Sequence, residues 1–146
     1  MTRSARWSLA ALVVWSLYVW STRISNAAGD AALSTGGKAF SIGLSLTFVA
    51  FALAGAVVLV RSWSRPRTNG ERTLLKGFSA WTIVVWVIRV PMIALADHVA
   101  GFKIVHAMLG IISIGLAAWV WRSTREPATD TARATDQESV SPTAQG

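Results

Sequence analysis

A chain of 146 residues with 53% hydrophobic residues, eight Trp and only 14% charged residues is too apolar for an ordinary soluble domain, and it has room for one domain at most. Its formal charge of +7 does not mark a nucleic-acid binder, because the basic residues stand at the ends of apolar runs and do not gather on one face with interleaved aromatics. The lack of cysteine excludes disulfides, thiol redox chemistry and cysteine-based metal sites.

The first apolar run, Trp7 to Thr22, has 16 residues and needs some extension past Arg23 or a thinned bilayer to cross, which gives a span over about 7–24. A rival reading makes Met1 to Trp20 a secretory signal peptide with a small-residue cleavage site near Ser25 to Gly29. Trp15 and Trp20 favour an interfacial anchor over a cleavage-region approach. From Arg23 to Lys38 the sequence is small and polar, with Gly29, Gly36 and Gly37, and is predicted to be an irregular, exposed loop.

The second run, Ala39 to Val60, holds 22 residues without a charge and covers about 33 Å as a helix, enough for a bilayer core. A basic connection follows, residues 61–76, with Pro66 and an Asn69-Gly70 turn. Thr68 with Glu71 three residues later predicts a capping box. This hairpin either serves topology alone or rests against anionic lipid headgroups, where each cation contributes about 1 kcal/mol.

The third span, over about 74–96, contains Arg89. Ten strongly apolar residues at roughly −0.3 to −0.6 kcal/mol each give about −4 to −5 kcal/mol, against about +3 for one arginine near the centre, so the span survives its cation. The fourth span, over about 102–121, contains the 18-residue run Ile104 to Trp121. From Arg122 onward no apolar period remains, and residues 122–146 are predicted to form a disordered cytoplasmic tail.

Positive residues are held on the cytoplasmic side. Arg3, Arg6, Arg61, Arg65, Arg67, Arg72, Lys76, Arg122 and Arg125 fall on one side of the spans, and only Arg23, Lys38 and Lys103 on the other. The expected protein is an all-α integral membrane four-helix bundle over 1–121, multi-pass in the cytoplasmic membrane, with both termini cytoplasmic. No repeat of 20–50 residues is visible, which weakens an inverted-repeat transporter reading.

Helices in lipid associate through small residues and polar contacts. Gly43, Thr47, Ala50 and Ala54 in span two, and His106, Gly110, Ser113 and Ala117 in span four, share the i, i+4, i+7, i+11 spacing of one helix face and are the predicted packing seams. The short connection from Asp97 to Lys103 makes spans three and four antiparallel neighbours.

This last hairpin gathers the chemistry: Arg89, Pro91, Asp97, His98 and His106. Pro91 predicts a kink near Val87 and frees that carbonyl. Arg89 then has three partners in reach: the freed carbonyl, Asp97, or the outer headgroups by snorkelling; an anion or lipid-headgroup site and a transport role are the functional alternatives. His106 with Gly110 four residues on also fits the way membrane bundles seat haem, but the chain offers no second His deep in a helix. A metal site from Asp97, His98 and His106 matches no specific motif. No cofactor and no metal is therefore expected.

The pattern R-V-P-M-I-x-L-x-D-H followed by F-K-I-V-H-x-x-L-x-x-x-S-I-x-L-A resembles a group of small uncharacterised bacterial membrane proteins of actinobacterial type. The resemblance covers Arg89 to Ala117, under a quarter of the chain. It implies a four-span membrane protein and carries no activity and no functional residue.

With no nucleophile beside a base, no phosphate loop and no mid-span acid, the expected function is non-catalytic: an accessory or interaction subunit whose partners are the bilayer, anionic headgroups, and a membrane protein or a second copy of itself. The alternatives are a small oligomeric transporter or pore for an anionic or small solute and, third, a b-type haem protein.

Overall fold

Long apolar runs with few Gly or Pro interruptions can satisfy their backbone only as helices when no water is at hand. The computed structural model describes residues 3–125; of the tail expected over 122–146, Arg122 and Ser123 belong to the last helix, and residues 126–146 lie outside the described residues. Four helices make up almost all of that range: α1 Arg3–Gly29, α2 Thr35–Arg61, α3 Asn69–Leu95 and α4 Ala100–Ser123. No strand occurs among the described residues.

Local chemistry sets the starts. Ser34 accepts a hydrogen bond from the Gly37 amide at the head of α2. The capping box at α3 forms as read: the Glu71 amide donates to Thr68 Oγ1 at 3.2 Å and the Thr68 amide donates to Glu71 Oε2 at 2.9 Å. The loop expected over Arg23 to Lys38 is much shorter, because α1 runs on to Gly29 and α2 begins at Thr35. Ala27 is buried, so packing carries α1 through the polar stretch that composition alone assigns to a loop.

The order around the bundle follows the chain. α1 lies along α2, α3 along α4, and less extensive contacts of α1 with α4 and of α2 with α3 close the ring. Short connections make neighbours antiparallel, so α1 and α3 run the same way and face each other across the diagonal. Helices α2, α3 and α4 are each long and apolar enough to cross a membrane. α1 is as long as α2 and α3 at 27 residues, but Arg3, Arg6, Arg23 and several hydroxyls dilute its apolar run below that mark.

The interior mixes bulky apolar residues such as Leu9, Phe48 and Phe78 with small polar ones, while many bulky apolar residues face outward. Ser8, Ser16, Ser41, Ser45, Ser79, Thr82 and Ser113 are buried, while Val14, Leu53, Val57, Ile88, Met92 and Ile111 are exposed. Several inward hydroxyls donate to carbonyls of their own helix, as Ser45 does to Ser41 (2.7 Å) and Thr82 to Phe78 (2.9 Å). That arrangement suits lipid, where helices gain by close backbone approach and have no hydrophobic drive to hide leucine.

Two glycines mark the closest approaches. A Cβ on Gly55 would stand 3.1 Å from Val13 Cγ2, and one on Gly110 would stand 2.5 Å from Val90 Cγ2 and 3.0 Å from Trp86 Cε3. The chain therefore seats α4 directly on the α3 side chains at Gly110. Gly110→Ala is expected to destabilise the protein by about 1–3 kcal/mol through overpacking, since the β-branched Val90 cannot swing aside. Val90→Ala in the same chain should restore much of the loss, and thermal unfolding of the single and double variants checks it; a double variant no better than the single one would place the strain elsewhere.

Candidate functional site

The end of the bundle reached by the C-termini of α1 and α3 is built on a spacing used twice. Trp20 and Arg23 in α1, and Trp86 and Arg89 in α3, share the pattern W-x-x-R. The tryptophans form an aromatic layer: Trp20 stacks on Phe48 of α2 with centroids 3.8 Å apart and planes at 9°, and meets Trp86 at 6.2 Å and 56°. Since α1 and α3 run in the same direction, stepping three residues on from each Trp lifts both chains about 4.5 Å and brings Arg23 and Arg89 to one level above the layer. Both arginines are half-buried on the inward stripes of their helices, and their charges repel each other.

Neither arginine has a counter-ion among the described residues. Arg65 and Glu71 form an ion pair, 2.7 Å, at the opposite end of the bundle. Asp97, the expected partner of Arg89, does not reach it: α3 ends at Leu95, Ala96 turns extended at φ −73°, ψ 159°, and the chain leaves the helix before Asp97 comes round to the arginine's face. Arg89 does not take the carbonyl of Val87 either, although α3 continues through Pro91. Pro91 itself is exposed, as are Asp97 and His98.

The histidines belong to a short ring stack. His98, Phe102 and His106 follow one another with centroid separations of 4.6 and 4.0 Å. His106 Nδ1 lies 2.9 Å from the Phe102 carbonyl, which can only accept, so that nitrogen carries the proton. Lys103 Nζ donates to the Ala94 carbonyl at 2.8 Å and ties the start of α4 to the end of α3. No three His, Asp or Glu are grouped to hold a metal ion among the described residues. Gly110, whose bare face would admit a haem macrocycle, is filled by Trp86 and Val90.

The two predicted seams differ. Gly110 and Ser113 are buried, and Ser113 Oγ accepts from Trp15 Nε1 of α1 at 2.9 Å while donating to the Leu109 carbonyl at 2.7 Å. Gly43 and Thr47 lie outside the interior, with nothing near the Cβ position of Gly43 and Thr47 Oγ1 accepting from Trp81 Nε1 at 3.2 Å. The inward stripe of α2 is Ser41, Ser45, Phe48, Ala52, Gly55 and Val58. It is rotated from the predicted one because small residues occupy both faces of this helix.

At the opposite end Arg65 and Arg6 have partners, while Arg67 Nε and Nη2 are buried without one. Arg65 grips Glu71 through two nitrogens, at 3.2 and 2.7 Å. Arg6 donates to the Ser62 carbonyl at 3.4 Å and lies 5.4 Å from the Trp63 ring centroid. The Thr68 amide, with the Arg65 guanidinium beside it, holds the Glu71 carboxyl below its ordinary range.

No protein-family model matches the chain, and neither a curated protein nor a solved structure matches it.

The lowered Glu71 carboxyl has a pH consequence. A carboxylate that loses its proton more easily when folded contributes stability that is fully present above the unfolded value, about 4.3, and is lost as pH falls through the lower folded value. The unfolding midpoint is therefore expected to drop more steeply below about pH 4.3 in the native chain than in Glu71→Gln. Parallel slopes for the two proteins would show that the cap contributes nothing.

Proposed function

We propose that this is a small, non-catalytic integral membrane protein that works by association, as an accessory subunit or as one copy in an oligomer. The observation that carries this reading is the outward face of α2. Gly43, Thr47 and Ala50 are exposed there, flanked by bulky side chains such as Leu46, Leu53 and Val57. Bare backbone on a lipid-facing surface is the feature by which membrane helices pack against another helix, and Trp81 stands beside it as one wall. The Arg, Ser and Trp groups in the interior are placed as donors and packing elements, without a nucleophile held by a base.

On this reading the protein lies in the cytoplasmic membrane with the basic end inward. The α1 N-terminus, the 61–76 hairpin and the α4 C-terminus meet at that end, as the Arg6 contact with Ser62 illustrates. α1 is retained as a fourth span and not cleaved as a leader, because Leu9, Leu12, Val13 and Trp20 contribute to the core that α2, α3 and α4 share. The hairpin cations then sit at the depth of anionic headgroups.

The cysteine-free chain allows one experiment on both points. Single cysteines at Ala100 and Gly43 are expected to behave differently. Cys in place of Ala100 should react with an impermeant maleimide on intact cells. A photoreactive maleimide on Gly43→Cys should yield a protein adduct of fixed mass, while the same probe on Ile88→Cys yields lipid adducts. Lipid adducts alone at both positions, together with a lone monomer in mild detergent, would end the association reading.

The Arg23 and Arg89 charges favour a second reading, an anion transporter. The layer of Trp20, Phe48 and Trp86 closes the centre of a single bundle, so a passage would have to run between copies. Anion flux into liposomes that Arg89→Ala reduces about tenfold is the expected signature; flux absent, or unchanged by the substitution, removes it.

A further inference from the structure

The geometry points to a binding site for a phosphate-type oxyanion between Arg23 and Arg89, at the end of the bundle where α1 and α3 terminate. This inference stands apart from the association reading and survives its failure.

Four observations converge on it. Arg23 and Arg89 each stand three residues beyond the Trp20–Trp86 contact, near enough for their charges to interact, and neither has a hydrogen-bond or ion-pair partner among the described residues. Arg23 Nε is shut off from solvent without an acceptor. Trp86, only 3% exposed, keeps its Nε1–H unpartnered. Its Cε3 edge abuts the Gly110 position of α4, so the opposite edge, which carries Nε1, turns toward the interior beside Trp20. Ser41, 6% exposed, keeps its hydroxyl unpartnered on α2, between the level of the Trp20–Phe48 stack and that of the Lys38–Ala28 contact where α1 ends.

The inventory fixes the ligand class. Guanidinium and indole nitrogens only donate, and a hydroxyl can donate, so the groups left over call for acceptors. The acids on the same side, Asp30 and Asp97, are exposed; Asp30 is engaged by the Ala32 amide in its own loop, 2.9 Å. A cation would be repelled, and a neutral ligand would leave two like charges facing each other. Donors arriving from three helices suit a tetrahedral group better than a flat carboxylate or a single halide, and guanidinium forks match phosphate oxygens in pairs. The same chemistry has two sources: the phosphodiester of a lipid headgroup, or free phosphate.

Thermal unfolding of the delipidated protein in uncharged detergent tests it. The probes are inorganic phosphate, short-chain phosphatidylglycerol, and chloride at matched ionic strength. Saturating phosphate is expected to raise the midpoint by about 5 °C over chloride if the source is a free anion, and phosphatidylglycerol alone is expected to do so if the source is a headgroup. Arg23→Gln and Arg89→Gln should each abolish the rise, while Arg65→Gln at the other end keeps it. Without ligand, each of the two variants should unfold no lower than the native chain, because one of two repelling charges is gone. No rise with either probe, variants that respond as the native chain does, or variants that unfold lower without ligand would each overturn the site.

Discussion

The bundle depends on close approach between helices at residues with little or no side chain. At Gly55 the neighbouring Val13 stands at the distance a Cβ would contest, and at Gly110 the indole of Trp86 and the methyl of Val90 occupy the space outright. In lipid this contact is the main source of cohesion, since acyl chains are as apolar as leucine and offer no reward for hiding it. The inward serines follow from the same constraint. A hydroxyl that bonds back to its own helix is small, nearly apolar to its neighbours, and still free to accept from across the interface, as Ser113 accepts from Trp15.

That constraint also explains what was legible. The number of helices, the Thr68–Glu71 cap and the α4 face at Gly110 and Ser113 can be read from periodicity and local chemistry, because each is encoded in one segment. The α2 seam is not encoded that way. Gly43 and Thr47 keep helical spacing, but so do Ser41, Ser45, Ala52 and Gly55, and in a lipid-embedded helix no contrast between polar and apolar faces says which stripe turns inward. The serines were the better guide: an unshielded hydroxyl is disfavoured toward hydrocarbon, whereas glycine is indifferent.

Arg23 was hidden for a different reason. Its neighbourhood, with Ser, Thr, Asn and Gly, has the composition of a loop, and a cation there is naturally counted toward topology. Only the run of α1 to Gly29, held by packing of Ala27, places it inside a helix and opposite Arg89. The one local trace is the repeated W-x-x-R spacing, which becomes meaningful once α1 and α3 are known to be parallel across the diagonal. Arg89 alone invited pairing with Asp97, eight residues on, a reach that the end of the helix at Leu95 prevents.

Depth reconciles two half-buried cations with a bilayer. α1 and α3 have 27 residues each, about 40 Å of helix, against a hydrocarbon core of about 30 Å, so a centred bundle extends about 5 Å beyond the core at each end. Arg23 and Arg89 both lie six residues before their helix ends at Gly29 and Leu95, about 9 Å in, which sets their Cα atoms only about 4 Å below the core boundary. A guanidinium on its flexible stem spans that distance, so in a centred bundle both charged groups are within reach of the lipid phosphates. The position that makes the pair tolerable in a membrane is thus the position at which an oxyanion is most abundant. At the opposite end Glu71 serves Arg65 and the Ser62 carbonyl serves Arg6, although Arg67 there keeps two buried nitrogens unpartnered.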